Sequence, residues 1–94
     1  MDSLPSLELL EASHTFPGPY QFKVIGRVEN GFIGRVVAAV RDELQFDVDP
    51  AYSVREARGG RHVAVTLEPM LPSAGHVLAV YRRLGALEGL VLLW

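Results

Sequence analysis

Residues 20–44 read YQFKVIGRVENGFIGRVVAAVRDEL, and the fold turns on how they are read. In the first part, Tyr20 to Val28, Phe22, Val24 and Val28 alternate with Gln21, Lys23 and Arg27. Alternation of this kind marks a strand with one buried face. Ile25 breaks the polar side of the pattern. Gly26 has no side chain to pack, which implies close approach of another group at that point. Glu29-Asn30-Gly31 ends the strand, and Gly31 is expected to take a positive φ or a close backbone contact. From Phe32 the period lengthens. At about 100° per residue, Phe32, Ile33, Val36, Val37, Val40 and Leu44 fall within roughly 140° of arc, which predicts a helix with one apolar face. Arg35, Arg41 and Asp42 point away, and Glu43 can reach water from the C-terminal end. Asn30 is the predicted N-cap, and Glu29 suits the positive end of the helix dipole.

Working outward, residues 1–19 form a lead-in. Leu4, Leu7, Leu9 and Leu10 make it apolar enough for a short helical turn. Phe16-Pro17-Gly18-Pro19 is extended, because each proline restricts the residue before it. Downstream of the helix, Asp49-Pro50 signals a turn, with Phe46 and Val48 expected to plug the bottom of the core. Tyr52 to Arg58 reads as the second strand, with Tyr52 and Val54 on its apolar side. Gly59-Gly60 is a predicted two-residue hairpin turn. Arg61 to Glu68 returns as the third strand, Val63, Val65 and Leu67 facing in. Ser73 caps a second helix that runs to about Leu84, with Gly85 as its C′ residue. Gly89 to Trp94 is a last, apolar strand.

The order β-α-β-β-α-β is the split βαβ plan. The expected fold is therefore α+β: a ferredoxin-like sandwich over residues 20–94, with a four-stranded antiparallel sheet in the order 4-1-3-2 and both helices on one face. The other sheet face is left open.

Composition narrows the function classes. The chain has 94 residues, 49% of them apolar, enough for one small core. Apolar runs fall short of the roughly 18–20 residues that span a membrane. Met-Asp-Ser lacks the positive region of a signal peptide, so the expected location is cytoplasmic, with no membrane contact. Without cysteine there is no disulfide framework and no thiolate chemistry. The formal net charge of −2 provides no global attraction to nucleic acid.

Scattered positions resemble the YbeD family of small bacterial proteins. They are Phe16-Pro17, Phe22-Lys23-Val24-Ile25-Gly26, Phe32 with Val36 and Val37, the Gly-rich basic hairpin before Val63-Ala64-Val65-Thr66, and Val80-Tyr81-Arg82-Arg83-Leu84. The likeness spans about residues 15–94. It departs at Arg58-Gly59-Gly60-Arg61-His62 and at Gly75-His76. It implies an ACT-like variant of the ferredoxin-like fold, and some members carry a lipoate-regulator label. No catalytic residues come with it.

Several functional readings compete. ACT domains bind small effectors at the strand-to-helix turn, which here is Glu29, Asn30, Gly31 and Phe32; the plainer reading is a turn that starts a helix. Residues 26–35 also resemble the phosphate loop of acylphosphatases, with Arg35 as the phosphate-holding arginine. Arg35 comes one residue late, however, and no asparagine lies on the second strand to hold a water. The basic sheet face of Lys23, Arg27, Arg55 and His62 could attract phosphates, yet no aromatic ring on strands one and three offers a base a platform. A solvated or partner-binding face is preferred, and nucleic acid is not the expected partner. His14, His62 and His76 have no metal-ligand spacing, and Asp47-x-Asp49 is read as a solvated loop. No cofactor and no catalytic residue is expected.

The last strand is apolar on both faces. Ile25, Leu90, Leu92 and Trp94 are expected to form a patch on the open face, covered either by the leucine-rich lead-in or by a second copy of the chain. The reading that results is a non-catalytic regulatory or protein-interaction domain, with a small-effector sensor as the alternative and an acylphosphatase-like hydrolase behind both.

Overall fold

The structure is a computed structural model and describes residues 4–57 and 59–94. Arg58, expected as the charged end of the second strand, lies outside the described residues. The elements in chain order are α1 (Leu7–Ser13), β1 (Gly18–Pro19), β2 (Phe22–Arg27), α2 (Phe32–Leu44), β3 (Tyr52–Glu56), β4 (His62–Leu67), β5 (Met70–Leu71), α3 (Ala74–Gly85) and β6 (Leu90–Leu93). The described residues are α+β, with three helices and two antiparallel sheets. The larger sheet runs β3-β4-β2-β6. The smaller pairs β1 with β5, Gly18 opposite Leu71. The expectation of a single sheet is thereby corrected: two residues on each side suffice for a bridge, too short to leave a periodic signal.

The core has contributions from every layer. Phe22 and Val24 of β2 and Val63, Val65 and Leu67 of β4 meet Phe32, Val36, Val37 and Val40 of α2 and Val77, Val80, Tyr81 and Leu84 of α3. All are buried, as alternation on the strands and one-sided periodicity on the helices require. Arg83 Nε donates to Glu43 Oε1 at 3.0 Å, tying the last turn of α3 to α2.

Local chemistry sets the helix ends. Ser73 Oγ accepts from the His76 N–H at the start of α3. At α2 the capping expectation is corrected. The N-cap is Gly31, at φ +66° and ψ +38°, and no side chain caps the helix. Asn30 itself sits at φ +54°, so two successive left-handed residues swing the chain from β2 into α2. Asn30 acts through its tolerance of that region. Gly85 is the last residue of α3, and the cap is Ala86 at φ −89°, so Gly85 is no left-handed C′ residue.

Other expectations also shift. The lead-in forms a seven-residue helix whose Ser6 side chain accepts from the Leu9 N–H. Leu10 is buried, and α1 packs against α3. The lead-in therefore joins the helical layer and does not fold across the open sheet face. The β3–β4 connection is longer than Gly59-Gly60: the Ala57 N–H still donates to His62 O, and the Gly60 N–H to Ala57 O. Tyr52 and Val54 are exposed, because the helices cover β2, β4 and β6 but stop short of β3; Val28 is exposed past the end of β2, on the turn into α2. Val48 is 74% exposed and plugs nothing; Phe46 is half-buried.

Candidate functional site

Two regions could carry function. The first is the turn from β2 into α2. The Phe32 ring lies directly on Gly26, and a Cβ at Gly26 would overlap it. That explains the glycine in a strand interior: the group that approaches is a side chain from the following helix. Phe32 is buried by the contact. Arg35 stands over the other side of the ring, its guanidinium carbon 5.5 Å from the centroid. Its Nε donates to Asn30 O at 3.0 Å and its Nη1 to Glu88 O at 2.9 Å. Arg35 thus ties the turn to the loop before β6. In the phosphate-loop reading this guanidinium would have to face a phosphoryl group; here two main-chain carbonyls hold it.

Beside the turn is a hollow of about 200 Å³, lined by Val28, Glu29, Gly31, Phe32, Ile33, Gly34 and Val63. Its walls are mostly apolar, and Glu29 is its one charged group. Of the four turn residues named from sequence, Glu29, Gly31 and Phe32 line the hollow and Asn30 does not.

The second region is the sheet face opposite the helices. Lys23 pairs with Thr66, Ile25 with Ala64 and Arg27 with His62, while Ser53 and Arg55 of β3 pair with Thr66 and Ala64. Directly paired residues share a face, so Lys23, Arg27, Arg55 and His62 come together as one basic face. Arg27 Nη1 lies 3.9 Å from Glu29 Oε1 at its edge.

At β6 the register shifts. Leu93 opposes Val24, Leu92 opposes Ile25, and Leu90 opposes Gly26, leaving Val91 as an extra residue. A bulge of this kind reverses which side chains face in. Leu90 and Leu93 both pack on the core, whereas Leu92 is 54% exposed. The expected patch is corrected accordingly: Leu90 belongs to the core, and Ile25, Leu92 and Trp94 remain on the open face. Trp94 continues the pairing past the strand, exchanging both main-chain bonds with Lys23 at 2.7 and 2.9 Å. The Lys23 ammonium sits 5.8 Å from the Trp94 ring centroid, a cation–π contact. The sequence places Trp94 on the open face with Ile25 and Leu92, but its contact with Lys23 depends on strand pairing and has no local signal. The β2–β6 register was the signal needed.

Several polar groups outside these regions are occupied locally. His76 Nδ1 lies 2.7 Å from Ser73 Oγ at the α3 cap. The His14 ring leans on Tyr20 at 4.9 Å between centroids. Arg41 Nη1 donates to Asp49 Oδ1 at 3.0 Å. Among the described residues no three acidic, His or Cys side chains gather as metal ligands. Tyr81 Oη and Tyr20 Oη share a hydrogen bond of 3.0 Å, and burial first, that bond second, push the Tyr81 hydroxyl above the ordinary tyrosine range. No described helix is long and apolar enough to cross a membrane.

Known proteins place this arrangement in a family. A UPF0250 protein of Shewanella sp. strain ANA-3 is 32% identical over 82 residues, 87% of this chain and 86% of its own. A UPF0250 protein of Shewanella oneidensis is 32% identical over the same shares of both chains. That of Shewanella amazonensis is 32% identical over 74 residues, 79% of this chain and 82% of its own. Residues 11–93 match the family described as "Protein of unknown function (DUF493)", which takes in the second half of α1 as well as the sheet. The chain belongs to this bacterial DUF493 family of YbeD-like proteins.

Proposed function

We propose that this chain is a non-catalytic, cytoplasmic interaction module of ferredoxin-like, ACT-like architecture that associates with a second copy of itself through β6. The architecture is supported by the sheet order β3-β4-β2-β6, which in the four-strand numbering is 2-3-1-4, the reverse of 4-1-3-2. One observation carries the interaction reading. Of the two edges of the larger sheet, β3 bears Arg55 and Glu56, while β6 is Leu-Val-Leu-Leu with no charge. Charged edges resist pairing, and bare apolar ones invite it. Val91, Leu92 and Trp94 are each about half exposed beside that edge, at 47%, 54% and 49%. A two-fold β6–β6 contact would bury Val91 and Leu92, leave Trp94 beside Lys23 on the open face, and keep the two basic faces from stacking on each other.

Light scattering across a concentration series tests this. The full chain is expected to approach twice its monomer mass, and Leu92→Glu to stay monomeric with an unchanged circular dichroism spectrum. A full chain that remains monomeric at every concentration overturns the reading.

The second reading is effector binding at Glu29, Gly31 and Phe32, favoured by the 200 Å³ apolar hollow beside them. It would admit a small, largely apolar molecule. Thermal shift against short aliphatic amines, whose ammonium complements Glu29, repeated in Ile33→Trp to fill the hollow, tests it: stabilisation is expected only with Ile33 in place.

A further inference from the structure

The basic sheet face contains a shallow hollow of about 400 Å³ that the self-association of β6 does not use. Ile25, Ala64 and Thr66 floor it, and Lys23, Arg55 and Trp94 form its rim. We propose that this hollow binds a short acidic segment of a partner protein, an apolar side chain seated against Trp94 and carboxylates engaging Lys23 and Arg55.

Charge complementarity argues for the occupant. Among the described residues, the ion pairs are Arg27–Glu29, Arg41–Asp42, Arg41–Asp49 and Arg83–Glu43, so neither Lys23 nor Arg55 is paired with a carboxylate of its own chain. Among the described residues no acidic side chain lines the hollow. The chain as a whole is acidic, at −2, so this concentration of positive charge is local and directional. Trp94 adds an amphipathic ring of the kind that anchors protein contacts, and the cation–π contact holds the Lys23 ammonium beside it.

Geometry sets the spacing. Lys23 and Arg55 lie two strands apart and one pleat out of step, so their Cα atoms are about 12 Å apart. Carboxylates four residues apart in an extended peptide are separated by about 13 Å. Nucleic acid fits less well. Its backbone needs a continuous basic track, and here Glu29 bounds one end of the face and Glu68, next after Leu67 on β4, the other. A single ring on the rim cannot stack successive bases.

The test is a titration with an end-blocked peptide of repeating Glu-Ser-Leu-Ser, which when extended presents Glu, Leu and the next Glu on one side, read by the emission of Trp94, the one tryptophan of the chain, and in parallel by calorimetry. A repeating Lys-Ser-Leu-Ser peptide and oligothymidylate serve as comparison probes. The acidic peptide is expected to bind, and the others not. Affinity is expected to fall at least about tenfold in Lys23→Glu/Arg55→Glu and to weaken with salt. Both substituted side chains project from the sheet, and circular dichroism checks the fold of the variant. Repeating the titration on Leu92→Gln, checked by light scattering to be monomeric, separates this binding from self-association without adding a carboxylate to the face, and binding is expected to survive there. Three results each overturn the proposal: no heat or emission change with the acidic peptide, equal affinity after charge reversal, or tighter binding of oligothymidylate or the Lys peptide.

Discussion

Gly26 and Phe32 are six residues apart in the chain and in contact in the fold. Because the ring occupies the space a Cβ would need, Gly26→Ala must displace Phe32 or bend β2. The expected loss is about 1–3 kcal/mol, as for overpacked cores, measured by denaturant unfolding. Part of the loss should return in Gly26→Ala/Phe32→Leu, since the clash is with the ring. Gly31 differs, because nothing lies near its missing Cβ. Its demand is the backbone angle of φ +66°. Gly31→Val is expected to lower stability by roughly 1–2 kcal/mol through left-handed strain alone. Asn30→Ala is expected to cost about 1 kcal/mol through left-handed strain at φ +54°, with no loss of a cap, because Asn30 caps nothing.

The bulge in β6 is the feature at the scale of elements that most alters the surface. Inserting Val91 lets Leu90 and Leu93 both face the helices and turns Leu92 out. A regular strand would have put Leu90 and Leu92 on one side. The distinction can be measured in the monomeric range of concentration. Leu90→Asp is expected to destabilise by about 1–3 kcal/mol, as for a charge forced against the core. Leu92→Asp should stay within about 0.5 kcal/mol, as for a surface site. Equal losses at the two positions would mean that β6 has the regular register. Arg35 supports this arrangement from the other side, since its bond to Glu88 O anchors the loop that leads into Gly89 and β6.

For the molecule as a whole, the Tyr20–Tyr81 pair joins the start of the sheet domain to α3. The folded Tyr81 hydroxyl has its pKa raised, so the fold favours the neutral phenol. The stability this provides is fully present below the unfolded value near 10 and is lost as pH rises through it. Thermal midpoints are therefore expected to be unaffected by this group through neutral pH and to fall above about pH 10. Tyr81→Phe should reduce the alkaline fall. An unchanged alkaline profile in that variant would remove Tyr81 as its cause.

The amino-acid order by itself determined the local elements and the sides they bury. Phe22 and Val24, the α2 stripe from Phe32 to Val40, the inward Val63, Val65 and Leu67, and the Ser73 cap follow from periods of 2 and 3.6 and from capping chemistry, all of which act within a few residues. The positive φ of Gly31 follows from the same local logic. Tertiary structure alone decided what depends on partners distant in the chain. It paired Gly18 with Leu71, docked α1 on α3, left Tyr52 and Val54 beyond the reach of the helices, and assigned Arg35 to Glu88. It also set the β6 register, which placed Leu90 in the core and Trp94 beside Lys23. A one-residue shift in pairing changes every exposed side chain beyond it while leaving the composition of the strand untouched. For that reason the basic face could be read from the sequence, and the hollow with its aromatic rim could not.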